Sequence, residues 1–146
     1  MLEEILPPHT ALALPAMSAL RPAWSDPDEF VERIDTVQRA EGYRLVGVFE
    51  PGQADAVAIA GFRTGHNLAW GYHLYVDDLS TLPAGRRRGY GRQLLRWLVA
   101  EAQRLGCEQM HLDSGVGLHR ANAHRLYLSE DLVISSHHFA RQLEVH

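Results

Sequence analysis

The chain has 146 residues, the size of one ordinary domain, with 46% hydrophobic and 22% charged residues, a balance that excludes a chain disordered throughout. Its formal net charge of −4 excludes a general affinity for polyanions, so any nucleic-acid role would rest on a local patch. No run reaches the ~18 apolar residues of a membrane span, and the sole cysteine, Cys107, cannot form an intrachain disulfide.

The opening MLEEILPPHT is acidic and broken by prolines, with no positive segment before an apolar run. No signal peptide is expected, and the lone cysteine fits a reducing cytoplasm. Residues 11–24, ALALPAMSALRPAW, are apolar but interrupted by Pro15 and Pro22, which predicts short helical turns. Over 25–42 a helix start is legible. Ser25 or Asp26 serves as cap, Pro27 takes the first turn, Phe30, Ile34 and Val37 recur at helical spacing, and Gly42 stops the helix.

The period then changes. Segments 43–50, 54–63 and 68–76 are rich in β-branched and aromatic residues, with Pro51-Gly52 and Gly65-His66-Asn67 between them. They predict an antiparallel meander whose third strand runs on through Asp77 and Asp78 to Thr81. A helix follows over about 89–105, with Leu94, Leu95, Leu98, Ala102 and Leu105 as its apolar stripe and Gly106 as its stop. A strand at 108–114, a helix at 119–130 and a final strand at 132–143 complete the chain. This order predicts an α+β fold, a mixed and mostly antiparallel sheet flanked by helices. A single domain is expected over 1–146, with 1–24 as an N-terminal apolar segment and 25–143 as the core.

Residues 83–97, PAGRRRGYGRQLLRW, place three arginines and two glycines at the mouth of a helix. Three readings compete there. Arginines around Tyr90 could bind phosphates and stack a base, although the run is short and no nucleic-acid module surrounds it. The stretch could equally be a solvated, arginine-rich turn. The third reading is an anion cradle: Gly89 and Gly91 let an anion approach the amides of a helix N-terminus, and the arginines add charge-assisted bonds. A Rossmann turn fails because Arg92-Gln93-Leu94 follows Gly91, and a P-loop fails for want of Gly-Lys-Ser/Thr. Nine histidines raise the question of a metal, but His119 and His124 are five apart and His137 and His138 alternate; no metal site is expected.

The segment Arg86-Arg87-Arg88-Gly89-Tyr90-Gly91 fits an Arg/Gln-x-x-Gly-x-Gly/Ala signature, with Pro83 three residues before it. Asp78-Leu79-Ser80-Thr81 ends the preceding strand, Gln93-Leu94-Leu95 opens the helix, and Ala123-His124-Arg125-Leu126-Tyr127 reads Ala-x-x-x-Tyr. On these residues the chain resembles the GCN5-related N-acetyltransferase (GNAT) superfamily over about residues 25–143. The resemblance implies acetyl-CoA as acetyl donor, its pyrophosphate held by the turn of Arg86, Arg87, Arg88, Gly89, Tyr90, Gly91 and Arg92. Its pantetheine arm would lie along Leu79, Ser80 and Thr81, with a backbone N–H near Leu79 on the thioester carbonyl.

The resemblance further implies Tyr127 as the acid for the departing sulfur. Asp77 and Asp78 are the leading candidates for base or amine-binding residue, with Asp113 a third option. Strand alternation sends Asp77 and Asp78 to opposite faces, with Asp77 on the face of Leu79 and Thr81. Two positions depart from the family pattern. Arg120 stands where relatives carry a cofactor-contacting Asn, with Asn122 two positions on as a substitute, and Asp131-Leu132 replaces Gly-Phe. The function implied is direct acetyl transfer, in a ternary complex, to a primary amine on a small molecule, peptide or protein. The alternative is a non-catalytic acyl-CoA sensor on the same fold. Neither nucleic acid nor membrane is an expected partner, and a homodimer is left open.

Overall fold

The helix start read at Asp26 is built as its residues dictate. Asp26 Oδ1 accepts from the amides of Asp28 and Glu29 at 2.8 and 3.2 Å, Pro27 takes the first helical position, and α2 runs Pro27–Arg33. The helix then widens into a π turn, Ile34–Gln38, and tightens into a 3-10 turn, Arg39–Glu41, before Gly42 ends it at φ 91°.

This computed structural model describes residues 1–145; His146, the last residue of the expected domain, lies outside the described residues. The chain forms two compact units, Met1–Leu112 and Asp113–His146. The first holds β1 (Leu2–Glu4), α1 (Leu14–Leu20), α2, β2 (Arg44–Val48), β3 (Ala58–Asn67), β4 (Gly71–Thr81), α3 (Tyr90–Leu105) and β5 (Gln109–Leu112). Its sheet has the order β1-β2-β3-β4-β5, antiparallel throughout except for the parallel β4–β5 pair. The mixed, mostly antiparallel sheet is thus present. Strand β1 was absent from the sequence reading, because three residues carry no period to read.

Alternation along the strands divides the core between two faces. Val46, Val48, Ala60, Phe62, Leu74 and Val76 pack with Leu94 and Leu98 of α3 on one side. Tyr43, Leu45 and Ile59 pack with Met17 of α1 and Phe30 and Ile34 of α2–π on the other. No helix among the described residues is long and apolar enough to cross a membrane.

The second unit comprises a loop, a 3-10 turn Leu118–Arg120 and α4 (Ala121–Ser129). The strand expected over 132–143 is not formed: residues 132–145 carry no helix or strand, and Ile134 and Phe139 are 81% and 92% exposed. An apolar, β-prone segment becomes a strand only when another backbone pairs with it, a condition that its own sequence cannot encode. Helix α4 closes with Leu132 N–H donating to Tyr127 O at 3.0 Å and Asp131 at φ 67°. This is the left-handed closure usually given to glycine, and Asp is among the few other residues that tolerate it.

Glu101 of α3 is buried yet charged. Arg44 of β2 reaches its Oε2 at 2.6 Å and forks onto Glu4 of β1 at 2.8 and 3.1 Å, while Arg104 binds Glu101 from the next turn. The hydrogen bonds from Arg104 and then Arg44 outweigh burial and hold the Glu101 carboxyl at about 2, against 4.5 unfolded. With the folded value depressed, the stabilisation is present above about pH 4.5 and is lost as pH falls toward 2. Glu101→Gln is expected to cost about 1–2 kcal/mol at pH 7, discounted for the exposed Arg104. It should also flatten the acid loss between pH 4.5 and 2, as read from urea melts across that range.

Candidate active site

The register of β3 against β4 slips between Gly61 and Phe62. Gly61 faces Asp78 and Phe62 faces Val76, which leaves Asp77 as the extra residue of a β-bulge. The bulge changes which side chains share a face. Val76 and Leu79 both pack on the α3 side, and Asp77 and Asp78 both turn to the α1–α2 side, which corrects the opposite-face expectation and removes Asp77 from the face of Leu79. There Arg63 Nε and Nη2 fork onto Asp77 at 2.9 and 3.1 Å, and Arg63 also pairs with Glu41 in the turn after α2. Asp78 has a different setting.

Asp78 lies on the wall of a cavity of about 240 Å³ between α1, α2 and the sheet. Met17, Trp24, Phe30 and Ile34 are its apolar lining, and Arg21, Arg33, Gln38 and Tyr43 line it together with Asp78. Tyr43 hydroxyl donates to Asp78 Oδ2 at 2.8 Å, and Arg21 Nε donates to Oδ1 at 3.0 Å. Burial, followed by the charge of Asp78, raises the Tyr43 pKa well above its ordinary value, so the phenol stays protonated and donates. The hydroxyl can pass only because residue 61 has no side chain: a Cβ there would fall 1.6 Å from it. On the same lining the Arg33 guanidinium lies 5.1 Å over the Trp24 ring, and Ser18 hydroxyl donates to the Trp24 carbonyl. Sequence reasoning missed Arg21, Tyr43 and Trp24; the one available signal was Gly61, an isolated glycine inside a strand pattern.

On the other edge of β4 the sheet opens. Strand β5 pairs only with His73–Val76, so residues 77–81 have β3 on one side and no strand of this sheet on the other. Leu82 N–H donates to Val57 O at 2.8 Å. Alternation therefore directs the amides of Ser80 toward β3 and those of Leu79 and Thr81 toward the open edge.

The chain leaves β4 through a 3-10 turn, Pro83–Gly85, that closes tightly on Val57, the residue before β3: a Cβ at Gly85 would lie 2.4 Å from Val57 Cγ2. Arg86 is extended, Arg87 and Gly89 are left-handed at φ 66° and 79°, and α3 begins at Tyr90 with no side-chain cap. Its first amides, including that of Gly91, have no partner within the helix. A Cβ at Gly89 would meet nothing within 4 Å, so the space over the turn is open.

The side chains of the turn divide into two groups. Tyr90 hydroxyl donates to Glu50 Oε2 at 2.8 Å and Arg88 Nη1 donates to the same oxygen. Those bonds hold the Glu50 carboxyl below its usual range, Tyr90 first. Arg88 and Tyr90 thus fasten the turn to the end of β2, while Arg86 and Arg87 extend into solvent.

Tyr127 and Asn122 belong to the second unit. Asn122 Oδ1 accepts from Arg125 at 2.8 Å. Burial raises the Tyr127 pKa, with the Arg120 charge and hydrogen bond pulling the other way. Arg120 also donates to Ser114 Oγ at 3.2 Å. His124 Nε2 lies 2.9 Å from the Gly115 carbonyl, so that nitrogen carries a proton and donates. Asp113 is exposed, 3.5 Å from His138 Nδ1.

The profile of the acetyltransferase (GNAT) family matches residues 10–129. The chain is 32% identical over 117 residues to YhdJ of Bacillus subtilis (strain 168), named as an uncharacterized N-acetyltransferase, covering 80% of this chain and 79% of that one. Among solved structures, the aminoglycoside N-acetyltransferase AAC(6')-Iy in complex with CoA aligns with a TM-score of 0.82 at 13% identity, over 99% of this chain and 95% of its own. An acetyltransferase of Trypanosoma brucei aligns at 0.77 and 18% identity over 99% of both chains.

The Tyr43–Asp78 contact makes a direct prediction. Gly61→Ala must displace the Tyr43 hydroxyl, and a loss of about 1–3 kcal/mol in folding stability is expected from overpacking. Tyr43→Phe in the Gly61→Ala background should recover part of that loss, measured as a double-mutant cycle in urea.

Proposed function

Because this chain belongs to the acetyltransferase (GNAT) family, we propose that it transfers the acetyl group of acetyl-CoA to a primary amine held in the cavity beside Asp78. The observation that carries this reading is the continuity of the open edge of β4. It leads from Asp78, at the cavity, to the uncapped start of α3. An extended cosubstrate arm can add to the outward amides of Leu79 and Thr81 as a strand would. A diphosphate suits the amides over Gly89, with Arg86 and Arg87 beside it. The residues present therefore fit a coenzyme A thioester, which supplies an activated acetyl carbonyl when bound.

In this reading each group of the chain has one task. The Leu79 amide donates to the acyl oxygen as charge gathers there. Asp78 orients the amine and accepts its proton, directly or through a water, since an alkyl amine attacks only when neutral. The nitrogen–carbon bond forms as the carbon–sulfur bond breaks, the sulfur keeps the electron pair, and a proton returns to it. Tyr127, with a pKa raised by burial, is the proton donor proposed for that sulfur. Transfer is direct, in a ternary complex, and the lone cysteine fits a reducing cytoplasm.

The test is release of free thiol from acetyl-CoA with a broad amine panel, with mass detection of the acetylated product. Binding of acetyl-CoA with no thiol from any amine would replace this reading with the non-catalytic sensor. Gly89→Val places a branched side chain in a left-handed position and in the space over the turn. It should weaken CoA binding by about tenfold or more while leaving the circular dichroism unchanged. Tyr127→Phe should lower kcat by about 10²-fold with CoA affinity nearly constant; undiminished kcat would remove its acid role.

A further inference from the structure

The charge on the cavity wall narrows the acceptor, granted that the chain is an amine acetyltransferase. Asp78 is the cavity's one carboxylate, and both its oxygens are engaged, Oδ1 by Arg21 and Oδ2 by Tyr43. Arg21 therefore balances Asp78. Arg33 has no such counterpart: among the described residues no carboxylate pairs with it, and its guanidinium rests over Trp24 instead. The cavity's uncompensated charge is positive. A polyamine or other polycation would meet that charge with repulsion.

Shape and lining add to the argument. At about 240 Å³ the cavity falls below the ~300–1,000 Å³ typical of sites for drug-sized ligands. Trp24, Phe30 and Ile34 line the same cavity as Asp78 and Arg33, so both charges share it with an apolar surface. The π turn that follows Arg33 brings both Ile34 and Gln38 to the wall. The Arg33 guanidinium, centred 5.1 Å over the Trp24 ring, is a planar fork of N–H donors of the kind that suits a carboxylate.

We propose that the acceptor is a small amino acid-like molecule, an amine joined through an apolar or aromatic body to a carboxylate, with the carboxylate on Arg33 and the amine toward Asp78. Arg33 is then a specificity-determining residue. The amine end undergoes the acetyl transfer already balanced above, and the carboxylate takes no part in bond making.

The experiment compares three matched probes: phenylalanine, phenylalaninamide and phenethylamine. Each is measured by calorimetric titration of the protein in excess CoA and by thiol release from acetyl-CoA. The expected result is a preference for phenylalanine of at least tenfold over both uncharged-end probes in affinity and in kcat/KM. In Arg33→Gln that preference should fall to within about threefold. Equal or weaker binding of phenylalanine, no binding of any probe, or an unchanged preference in Arg33→Gln overturns the proposal. The titration separates this from the reading it rests on: carboxylate-selective binding without thiol release preserves the acceptor class and removes the transferase activity, whereas thiol release without selectivity does the reverse.

Discussion

A buried phenol has to find a partner for its hydroxyl, and Tyr43 finds Asp78 by passing over Gly61 of β3, which has no side chain to block it. That contact requires three things together. Gly61 must leave the space, the bulge must turn Asp78 to the α1–α2 face, and Arg21 at the end of α1 must balance the carboxylate. The seating of α1, the bend of β4 and the polar wall of the cavity are therefore linked through one carboxylate. A change at any of them leaves a buried polar group unpaired, which is the expensive outcome inside a core.

On the opposite edge of β4, the notable feature is pairing that stops. Strand β5 ends at Leu112, opposite Val76, and beyond it the outward backbone groups of Leu79 and Thr81 have no strand of this sheet on that side, β3 lying on the other. Unpaired edges are normally blunted or covered. Here the edge continues into a turn whose helix also starts without a cap. In the proposed reading, both features offer backbone N–H groups to an extended, anionic ligand. Glu50, gripping Arg88 and Tyr90, gives the turn its position without using the amides.

Much of the fold was legible because its signals are local. The cap at Asp26, the stops at Gly42 and Gly106, the stripe of α3 and the run of β4 through Thr81 each depend on residues within a few positions of one another. The arginine–glycine turn was legible for the same reason. Strand β1 was too short to carry a pattern. The segment 132–143 carried the pattern of a strand but has no backbone paired with it in the structure. Residue 131 was recognised as a departure, and its left-handed φ shows what position it occupies: a helix closure of the kind glycine usually fills.

The sequence by itself thus determined the element order from α2 to α4, the mixed sheet and the turn at the start of α3, which rest on periodicity and turn chemistry, and the family through the resemblance its motifs carry. Tertiary structure decided what lies around the two aspartates. Alternation separates neighbours on a regular strand, but one extra residue in β4 puts Asp77 and Asp78 on the same side, one committed to Arg63 and the other to Tyr43 and Arg21. A register slip is a property of two strands and the side chains packed over them. No single stretch of sequence contains it, because the residues that make it necessary, Arg21, Tyr43, Gly61 and Asp78, meet only when the chain has folded.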